Sequence, residues 1–225
     1  MKIAILGTGS VGRTLAVRLA GLGHDVTIGT RDVEATLART DAGGGGDAHF
    51  ADWVAKNPAI TLTGFADAAA GAELVVNATN GGASLDVLTE VGNRGLDGKI
   101  VLDLANPLDF SRGMPPTLFV KDTDSLGEQI QRAFPAARVV KSLNTLTAEL
   151  MAHPGNLPEA STVFVSGNDI DAKHTVTALL TEFGHQDVID LGDITTARGP
   201  EMLLPVWLRL WGALGTPVFN VKIVR

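Results

Sequence analysis

Apolar and polar positions follow two different periods along this chain, and their succession predicts strands and helices in turn. The first apolar run, residues 3–6, leads into a glycine-rich turn. The apolar side chains of the next stretch are Val11, Leu15, Leu19 and Leu22. Their spacing of three or four residues is that of one helix face, and it predicts a helix over residues 10–22. A second apolar run at residues 26–28 then predicts a second strand.

Three glycines lie in the turn between the first strand and the first helix, in the pattern Gly-x-Gly-x-x-Gly. In such a turn Gly7 permits a tight exit from the strand, Gly9 lets a ligand approach the backbone, and Gly12 allows close helix packing. The N–H groups at the start of the helix are then free to bind phosphate. Order and spacing therefore predict a dinucleotide-binding turn; the alternative is a glycine turn without a ligand.

The end of the second strand indicates which dinucleotide would bind. NAD enzymes usually carry Asp or Glu there, because the carboxylate binds the ribose 2′-hydroxyl. Here the position is near Thr30, and Arg31 follows it. A hydroxyl and a guanidinium suit a 2′-phosphate, since arginine binds phosphate through a planar fork of N–H donors. Asp32 comes too late for the NAD role, so we expect NADP; the alternative is that Arg31 and Asp32 are solvated turn residues.

The rest of the chain continues the alternation of strands and helices. Four consecutive glycines, residues 43–46, predict a flexible loop. Further strands are expected at residues 60–65, 73–77, 99–104, 139–143, 162–166 and 188–191. Further helices are expected at residues 33–39, 50–55, 65–70, 84–92, 125–134, 148–151, 172–183 and 200–214. The pattern predicts an α/β fold of the Rossmann type, with a doubly wound, mostly parallel sheet and a smaller C-terminal α/β extension that ends in an apolar helix.

Polar residues follow the buried strands at the points where those strands end. Asn77, Thr79 and Asn80 come after one strand, and residues 105–107 and 144–145 come after two later ones. Ligands of doubly wound sheets bind at the carboxyl ends of the strands. The sequence therefore predicts cofactor contacts from Asn77, Thr79 and Asn80, although a simple Asn–Gly turn explains that segment equally well.

The C-terminal part of the chain predicts an extension of the cofactor domain. We divide the chain into an NADP-binding domain, residues 1–146, and a smaller extension packed on it, residues 147–225, with one continuous domain as the alternative. A loop as long as residues 108–123 is more often functional than decorative. The expected helix at residues 200–214 is apolar on nearly every face, so it would cover a pocket or a partner subunit. We therefore expect a homodimer, and Pro205 predicts a bend in this helix.

Composition excludes several classes of protein. The 225 residues include no cysteine and no tyrosine. Disulfides, thiolate chemistry and a Tyr–Lys proton donor are therefore excluded. A net charge of −7 without a basic stripe argues against nucleic-acid binding. No apolar stretch is long enough for a signal peptide or a transmembrane helix. We expect a cytoplasmic protein that binds small molecules and has no membrane or nucleic-acid partner.

Several segments together resemble one known family. Two of them are common to many Rossmann enzymes, GTGSVGR at residues 7–13 and GHDVTIGTR at residues 23–31. VFVSGN at residues 163–168 is a third segment. The more specific ones are VVKSLNT at 139–145, DLGDITTAR at 190–198 and PVWLRLW at 205–211. They resemble the deazaflavin-dependent NADP oxidoreductases (coenzyme F-420:NADP oxidoreductases), which include the cytosolic reductase domain of the STEAP ferric reductases. The resemblance spans nearly the whole chain and does not include the membrane half of the STEAP proteins.

The resemblance implies a role for each of these segments. It implies NADP as cofactor, with its 2′-phosphate bound by Thr30 and Arg31. The pyrophosphate loop would be Thr8, Gly9, Ser10 and Val11. The residues that line the cofactor towards the nicotinamide would be Asn77, Ala78, Thr79, Ala105, Asn106 and Pro107. The residues that flank the nicotinamide and the acceptor ring would be Leu143, Asn144 and Thr145.

The reaction implied by the resemblance is hydride transfer between NADP(H) and a deazaflavin or flavin coenzyme. Such a transfer needs orientation and water exclusion rather than an acid or a base. We therefore expect no catalytic residue and no metal; among the histidines, His153 alone follows a strand on the substrate side.

Two other functions stay open. The first is an NADPH-dependent reductase of a small imine or carbonyl substrate. Such an enzyme needs a proton donor, and Lys173 is the candidate, although the sequence predicts that it faces solvent. The second is a non-catalytic NADP-binding sensor.

Overall fold

A sheet of eight strands forms the centre of the molecule in the computed structural model, which describes residues 1–40 and 49–225. The described residues form ten strands, eight of them in this sheet: β1 (Lys2–Leu6), β2 (Asp25–Thr30), β3 (Ile60–Gly64), β4 (Leu74–Asn77), β5 (Ile100–Asp103), β6 (Leu108–Asp109), β7 (Thr117–Leu118), β8 (Arg138–Ser142), β9 (Thr162–Gly167) and β10 (Asp187–Gly192). Strands β6 and β7 pair separately as an antiparallel hairpin. The order in the main sheet is β10-β9-β8-β5-β4-β1-β2-β3.

Six of the described strands run parallel, in the order β3-β2-β1-β4-β5-β8. This is the strand order of a dinucleotide-binding Rossmann sheet. Strand β9 pairs with β8 in the antiparallel direction, with Lys141 opposite Ser166, and β10 runs parallel to β9. The carboxyl ends of β9 and β10 therefore lie at the edge opposite to the carboxyl ends of the six parallel strands. This reversal decides which loops can reach a ligand.

Helices cover both faces of the sheet. They are α1 (Ser10–Gly21), α2 (Val33–Leu37), α3 (Phe50–Lys56), α4 (Phe65–Ala70), α5 (Ser84–Val91), α6 (Asn93–Leu96), α7 (Leu126–Ala133), α8 (Ala148–Ala152), α9 (Ile170–Phe183), α10 (Arg198–Met202) and α11 (Leu204–Leu214). Short 3-10 turns are found at Gly81–Ala83, Pro154–Asn156 and Ile194–Ala197.

The side chains of β1 show how the sheet separates two cores. Ile3 and Ile5 face one core, which they share with α1, α3, α8 and α9. Ala4 and Leu6 face the other, which they share with α4, α5 and α7. Because successive side chains of a strand point to opposite faces, a strand covered on both sides reads as an unbroken apolar run. Burial of one such large side chain stabilises the fold by about 1.5–3 kcal/mol.

The predicted Rossmann-type α/β fold is confirmed. Most elements lie within one or two residues of their expected bounds, but helix α6 and the hairpin β6–β7, inside the predicted loop at 108–123, were not predicted. The single helix expected at 200–214 is instead two helices that meet at Leu203. Pro205 lies in the first turn of α11, where its missing N–H leaves no helical hydrogen bond unmade. The glycine run at 43–46 lies outside the described residues.

The C-terminal extension continues the central sheet, since β9 hydrogen-bonds to β8. The domain boundary at residues 146–147 stays a prediction. Helix α11 leaves much of its apolar surface open: Val206 is 53% exposed, Trp211 40% and Leu214 56%. A face that the sequence predicts to be covered is therefore open in the single chain. In the described ranges no helix is both long and apolar enough to cross a membrane.

Candidate functional site

The glycine turn lies at the carboxyl end of β1. Gly7 has a φ of +121°, and a Cβ there would lie 2.6 Å from the carbonyl oxygen of Ala78, so glycine is required. A Cβ on Gly12 would lie 2.1 Å from the carbonyl oxygen of Gly7, because α1 approaches the turn so closely. A Cβ on Gly9, in contrast, would meet no described atom within 4 Å. Among the residues that the structure describes, the space beside Gly9 is therefore open, as a bound pyrophosphate requires.

In the part of the chain that the structure describes, no side chain caps the start of α1. Gly9 occupies the N-cap position, and the first turn contains no acidic residue. Helix N-termini of this kind bind anions, because the N–H groups and the helix dipole both favour negative charge. Ser10 and Val11 are partly exposed, while Thr8 is buried and its hydroxyl accepts a hydrogen bond from Arg39 Nη1 at 2.8 Å. The turn thus combines open amides with a nearby positive charge.

Thr30 and Arg31 differ in accessibility. Thr30 is buried, and its hydroxyl oxygen lies 2.7 Å from that of Thr36. The side chain of Arg31 is 69% exposed, and its Nε lies 3.7 Å from a carboxylate oxygen of Glu90. Arg31 is therefore accessible to a 2′-phosphate, whereas the hydroxyl of Thr30 is already shared. Asp32 caps α2 by accepting a backbone N–H at 2.9 Å, which gives this carboxylate a structural role.

The turns that follow β1, β4, β5 and β8 touch one another along the carboxyl edge. Gly7 lies against Ala78, and a Cβ on Gly81 would lie only 1.9 Å from the carbonyl oxygen of Asn106. Asn106 Nδ2 donates to the carbonyl oxygen of Asn144 at 2.8 Å, and Asn144 Nδ2 donates to Asn106 Oδ1 at 2.9 Å. The structure therefore brings the predicted site residues of four strand ends into one continuous edge.

Asn77 is fully buried and stabilises the turn that follows it. Its Nδ2 donates to Ser84 Oγ at 3.1 Å and to Asp103 Oδ1 at 2.8 Å, and its Oδ1 accepts from Thr79 Oγ1 at 2.7 Å. Asn80 is exposed and forms a simple Asn turn with the backbone two residues later. A buried amide must be hydrogen-bonded, and the partners of Asn77 include residues of the turn that follows β4. Asn77 therefore stabilises the conformation of this turn from within the core.

The turn after β8 has an unusual backbone. Leu143 is in the left-handed region with a φ of 58°. That conformation costs a non-glycine residue about 1–2 kcal/mol. Next to it, Asn144 Nδ2 also donates to the carbonyl oxygen of Pro200 at 2.9 Å, so the turn is tied to α10. The predicted site residues that the structure buries along this part of the edge are Ala105, Pro107, Leu143, Asn144 and Thr145.

Beneath this edge lies a charged cluster that the sequence analysis did not identify. The ammonium group of Lys141 lies 2.8 Å from Asp103 Oδ2 and 2.9 Å from Glu201 Oε1. It also donates to the carbonyl oxygen of Ala105. The side chains of Lys141 and Asp103 are 0% exposed, and that of Glu201 is 2% exposed. An ammonium group has three donors, and here each of them has an acceptor.

The pKa of Lys141 is raised above its ordinary value. Burial alone lowers the pKa, but the carboxylates of Asp103 and Glu201 outweigh that effect. Lys141 therefore stays charged at neutral pH. Two signals in the sequence pointed to the cluster, because Lys141 and Asp103 interrupt the apolar runs VVKSL and IVLDL. A charge in a strand covered on both faces requires a partner.

Two side chains of α10 join that helix to the N-terminus of α7. Glu201 accepts the first two N–H groups of α7 at 2.8 and 3.0 Å. Arg198 forms a two-pronged ion pair with Glu128, at 2.8 and 2.5 Å. Glu128 also accepts from Ser125, the residue that caps α7. The start of the last helical segment is therefore fixed to the core by two independent charge contacts.

Other candidate residues lie apart from this edge. The expectation that Lys173 faces solvent is wrong: the residue is 8% exposed, and its Nζ lies 2.8 Å from Asp190 Oδ2. Lys173 follows β9, which runs in the reverse direction, so it lies towards the opposite edge of the sheet. In the described part of the chain, the His153 side chain makes no hydrogen bond to a predicted site residue. Residues 1–40 and 49–225 contain no group of three His, Asp or Glu side chains placed to hold a metal.

A glycine turn with open amides at the carboxyl edge of a Rossmann sheet, beside an exposed arginine, defines the class of NAD(P)-binding proteins. Residues 2–107 match a family model described as NADP oxidoreductase, coenzyme F420-dependent. The crystal structure of a candidate F420-dependent NADP-reductase from Arthrobacter sp. FB24 is 63% identical, with a TM-score of 0.95, and the match covers 100% of both chains. This chain belongs to the F420-dependent NADP oxidoreductase family.

More distant relatives agree with this assignment. The F420-dependent NADP reductase of Methanocaldococcus jannaschii is 29% identical, over 93% of this chain and 92% of that protein. Metalloreductase STEAP3 of Rattus norvegicus is also 29% identical, over 92% of this chain but 38% of its own length. The chain thus spans well under half of STEAP3. The resemblance seen in the sequence is confirmed.

Proposed function

We propose that this protein transfers hydride between NADP(H) and the deazaflavin coenzyme F420. The observation that carries the proposal is the space at Gly9, in front of the start of α1, which no described residue fills or caps. The exposed guanidinium of Arg31 at the end of β2 favours NADP over NAD. The archaeal relative that matches over nearly its whole length is named an F420-dependent NADP reductase, which supports F420 as the second coenzyme.

The residues of the carboxyl edge fit a dinucleotide. The amides of residues 8–11 would hold the pyrophosphate, and Arg31 would neutralise the 2′-phosphate. Ala78 and Thr79 would support the middle of the cofactor, and the turns at Asn106 and Asn144 its nicotinamide end. When bound, NADPH supplies a hydride from its nicotinamide ring.

The side chains at the nicotinamide end are suited to orient rather than to transfer protons. The amides of Asn106 and Asn144 are already bonded to each other, and neither amide titrates. The ammonium group of Lys141 is sealed beneath the surface. We therefore assign the chain's contribution to alignment of the two rings and exclusion of water.

We propose that the acceptor ring lies between the turn at Asn144 and the segment of α10 and α11. The contact between Asn144 and Pro200 brings α10 against this turn. An apolar side chain next to this contact offers a surface for a flat ring, since Met202, at the end of α10, is 37% exposed. A flavin would use the same surface, and the preference for F420 comes from the family.

Absorbance measurements of NADPH oxidation test the proposal. The acceptors would be F420, FMN, a cyclic imine and a keto acid, each with NADPH and with NADH. We expect turnover with F420 and NADPH. Turnover with the imine or the keto acid alone would assign the protein to the imine or carbonyl reductases. NADPH binding without turnover of any acceptor would make it a sensor.

We also propose that the protein works as a homodimer in the cytoplasm. The apolar face of α11 that carries Val206, Trp211 and Leu214 would be covered by a second copy. Light scattering should give twice the mass of the chain, and Trp211→Glu should give the monomer. A monomeric wild-type protein would reject the dimer. The proposed reaction, which joins two soluble coenzymes, supports the cytoplasm as the location.

A further inference from the structure

We propose that Lys141 and Glu201 are positioning residues for the nicotinamide end of the site. Their ion pair would set the spacing between the turn after β5 and the turn after β8. The proposal rests on the proposed function in one respect, because it takes the nicotinamide to lie at these two turns.

The ammonium group of Lys141 is bonded to three separate segments. Asp103 is the last residue of β5, Ala105 lies in the turn that follows, and Glu201 belongs to α10. Lys141 itself lies in β8, directly before the second turn. One buried charge therefore links both turns and the helix that adjoins them. Buried and fully paired, it has little freedom to move.

The backbone of the second turn shows why such an anchor is needed. Leu143 follows Lys141 by two residues and has the left-handed φ of 58°. Strained residues of this kind persist only where the surroundings hold them, and they concentrate at functional sites. Lys141 holds the chain before Leu143, and Asn144 holds it afterwards through Asn106 and Pro200. Loosening the first anchor should let this turn relax.

The effect of Glu201 on the cluster can be tested separately from the attachment of α10 to α7. The ion pair between Arg198 and Glu128 already fixes α10 to α7. Glu201 Oε1 accepts from Lys141 and from the N–H of Gly127, and Oε2 accepts from the N–H of Leu126. A glutamine at position 201 therefore removes the negative charge beside Lys141 and places an NH₂ donor against another donor in either orientation. Asp103 continues to neutralise Lys141. Glu201→Gln therefore weakens the cluster without leaving an unpaired buried charge.

The test compares a complete cofactor with its adenosine half. The dissociation constants of NADPH and of adenosine 2′,5′-bisphosphate are measured by calorimetry for wild type and Glu201→Gln. We expect NADPH to bind about tenfold more weakly to the variant, the effect of one or two lost hydrogen bonds. The bisphosphate, which lacks the nicotinamide, should bind within about twofold of wild type. If Glu201 had only a structural role, the ratio of the two dissociation constants would be the same in the variant and in wild type.

Glu128→Gln is the matched control. It also removes a buried carboxylate between α7 and α10, but the carboxylate touches Arg198 rather than Lys141. For Glu128→Gln, the ratio of the dissociation constant of NADPH to that of the bisphosphate should equal the wild-type ratio. Should Glu201→Gln fail to fold, Glu201→Asp keeps the charge with a shorter reach, and a smaller shift in the same direction is expected. Equal weakening of both ligands, or no weakening of either, would overturn the proposal.

The two proposals can fail separately. A wild-type enzyme that passes no hydride to F420, together with the expected shift in the ratio, would reject F420 and keep the positioning role. Turnover of F420 at the wild-type rate by Glu201→Gln, with an unchanged ratio, would reject the positioning role and keep the function.

Discussion

The carboxyl edge has two ends, which we propose hold the adenosine and the nicotinamide, and they differ in how their polar groups are exposed and bonded. At the adenosine end, Gly9 faces open space and Arg31 is 69% exposed. At the nicotinamide end, Asn144 and Lys141 are at most 3% exposed and bond to other parts of the chain. The first end is arranged to exchange water for a ligand. The second is arranged to keep one geometry, as a site for oriented hydride transfer requires.

This difference has an energetic consequence. Exposed charges interact weakly with one another, because water and salt screen them. Buried charges are costly to separate, because the remaining partner is left without solvent. Substitutions at the adenosine end should therefore change ligand affinity and leave the fold intact. Substitutions at the nicotinamide end should change stability and geometry.

The largest effect is expected for Lys141→Met. The substitution leaves the carboxylates of Asp103 and Glu201 buried together without a cation. The free energy of unfolding, measured by urea denaturation, should fall by about 3–5 kcal/mol. Lys222→Met, which breaks the exposed pair with Glu159, is the control and should cost less than about 1 kcal/mol. Equal losses in the two variants would contradict the comparison.

Gly9→Val should have the next largest effect, and on binding alone. The new side chain enters the open space that the pyrophosphate needs, so NADPH should bind at least about a hundredfold more weakly, or ~2.7 kcal/mol. The thermal midpoint should change little, since a Cβ at this position meets no described atom within 4 Å. Gly21→Val, at the other end of α1 and equally open, controls for the new side chain. If Gly9→Val bound NADPH as tightly as wild type, the glycine turn could not be part of the cofactor site.

The strand–turn–helix–strand unit that carries Gly9 and Arg31 could be predicted from the sequence because its determinants are local. The glycine pattern and Arg31 lie within one strand–helix–strand unit, and the spacing alone places them together. The meeting of Asn106 and Asn144 followed from the rule that parallel strands end at one edge. Glu201 could not be found in this way, because its pairing with Lys141 depends on how α10 folds back.

Two other features could not be predicted from the sequence: the direction of a strand and the point at which one helix ends and the next begins. Lys173 was misjudged because sequence patterns do not reveal that β9 reverses, nor that Asp190 lies beside it. The C-terminal helix was predicted as one segment, since an apolar run does not show where a helix breaks.

Arg31→Ala tests the exposed end directly. Loss of the guanidinium should weaken NADPH binding by about ten- to a hundredfold, the value of one strong charge-assisted contact. NADH, which lacks the 2′-phosphate, should bind within about twofold of wild type. Both constants are measured by fluorescence titration. Arg209→Ala, an exposed arginine of α11, controls for the change in net charge. Equal weakening of NADPH and NADH would mean that Arg31 does not bind the 2′-phosphate.

The smallest effect is expected for Glu90→Gln, and it separates the two ends by their response to salt. The carboxylate of Glu90 lies 3.7 Å from Arg31 and competes with a 2′-phosphate for it. Its removal should strengthen NADPH binding by about two- to threefold at low salt, since both partners are exposed. The gain should fade near physiological ionic strength, where the Debye length is about 8 Å. The shift caused by Glu201→Gln should persist there, because buried pairs are screened far less. If salt abolished both effects alike, the cluster around Lys141 would have to be open to solvent, and the contrast between the two ends would fail.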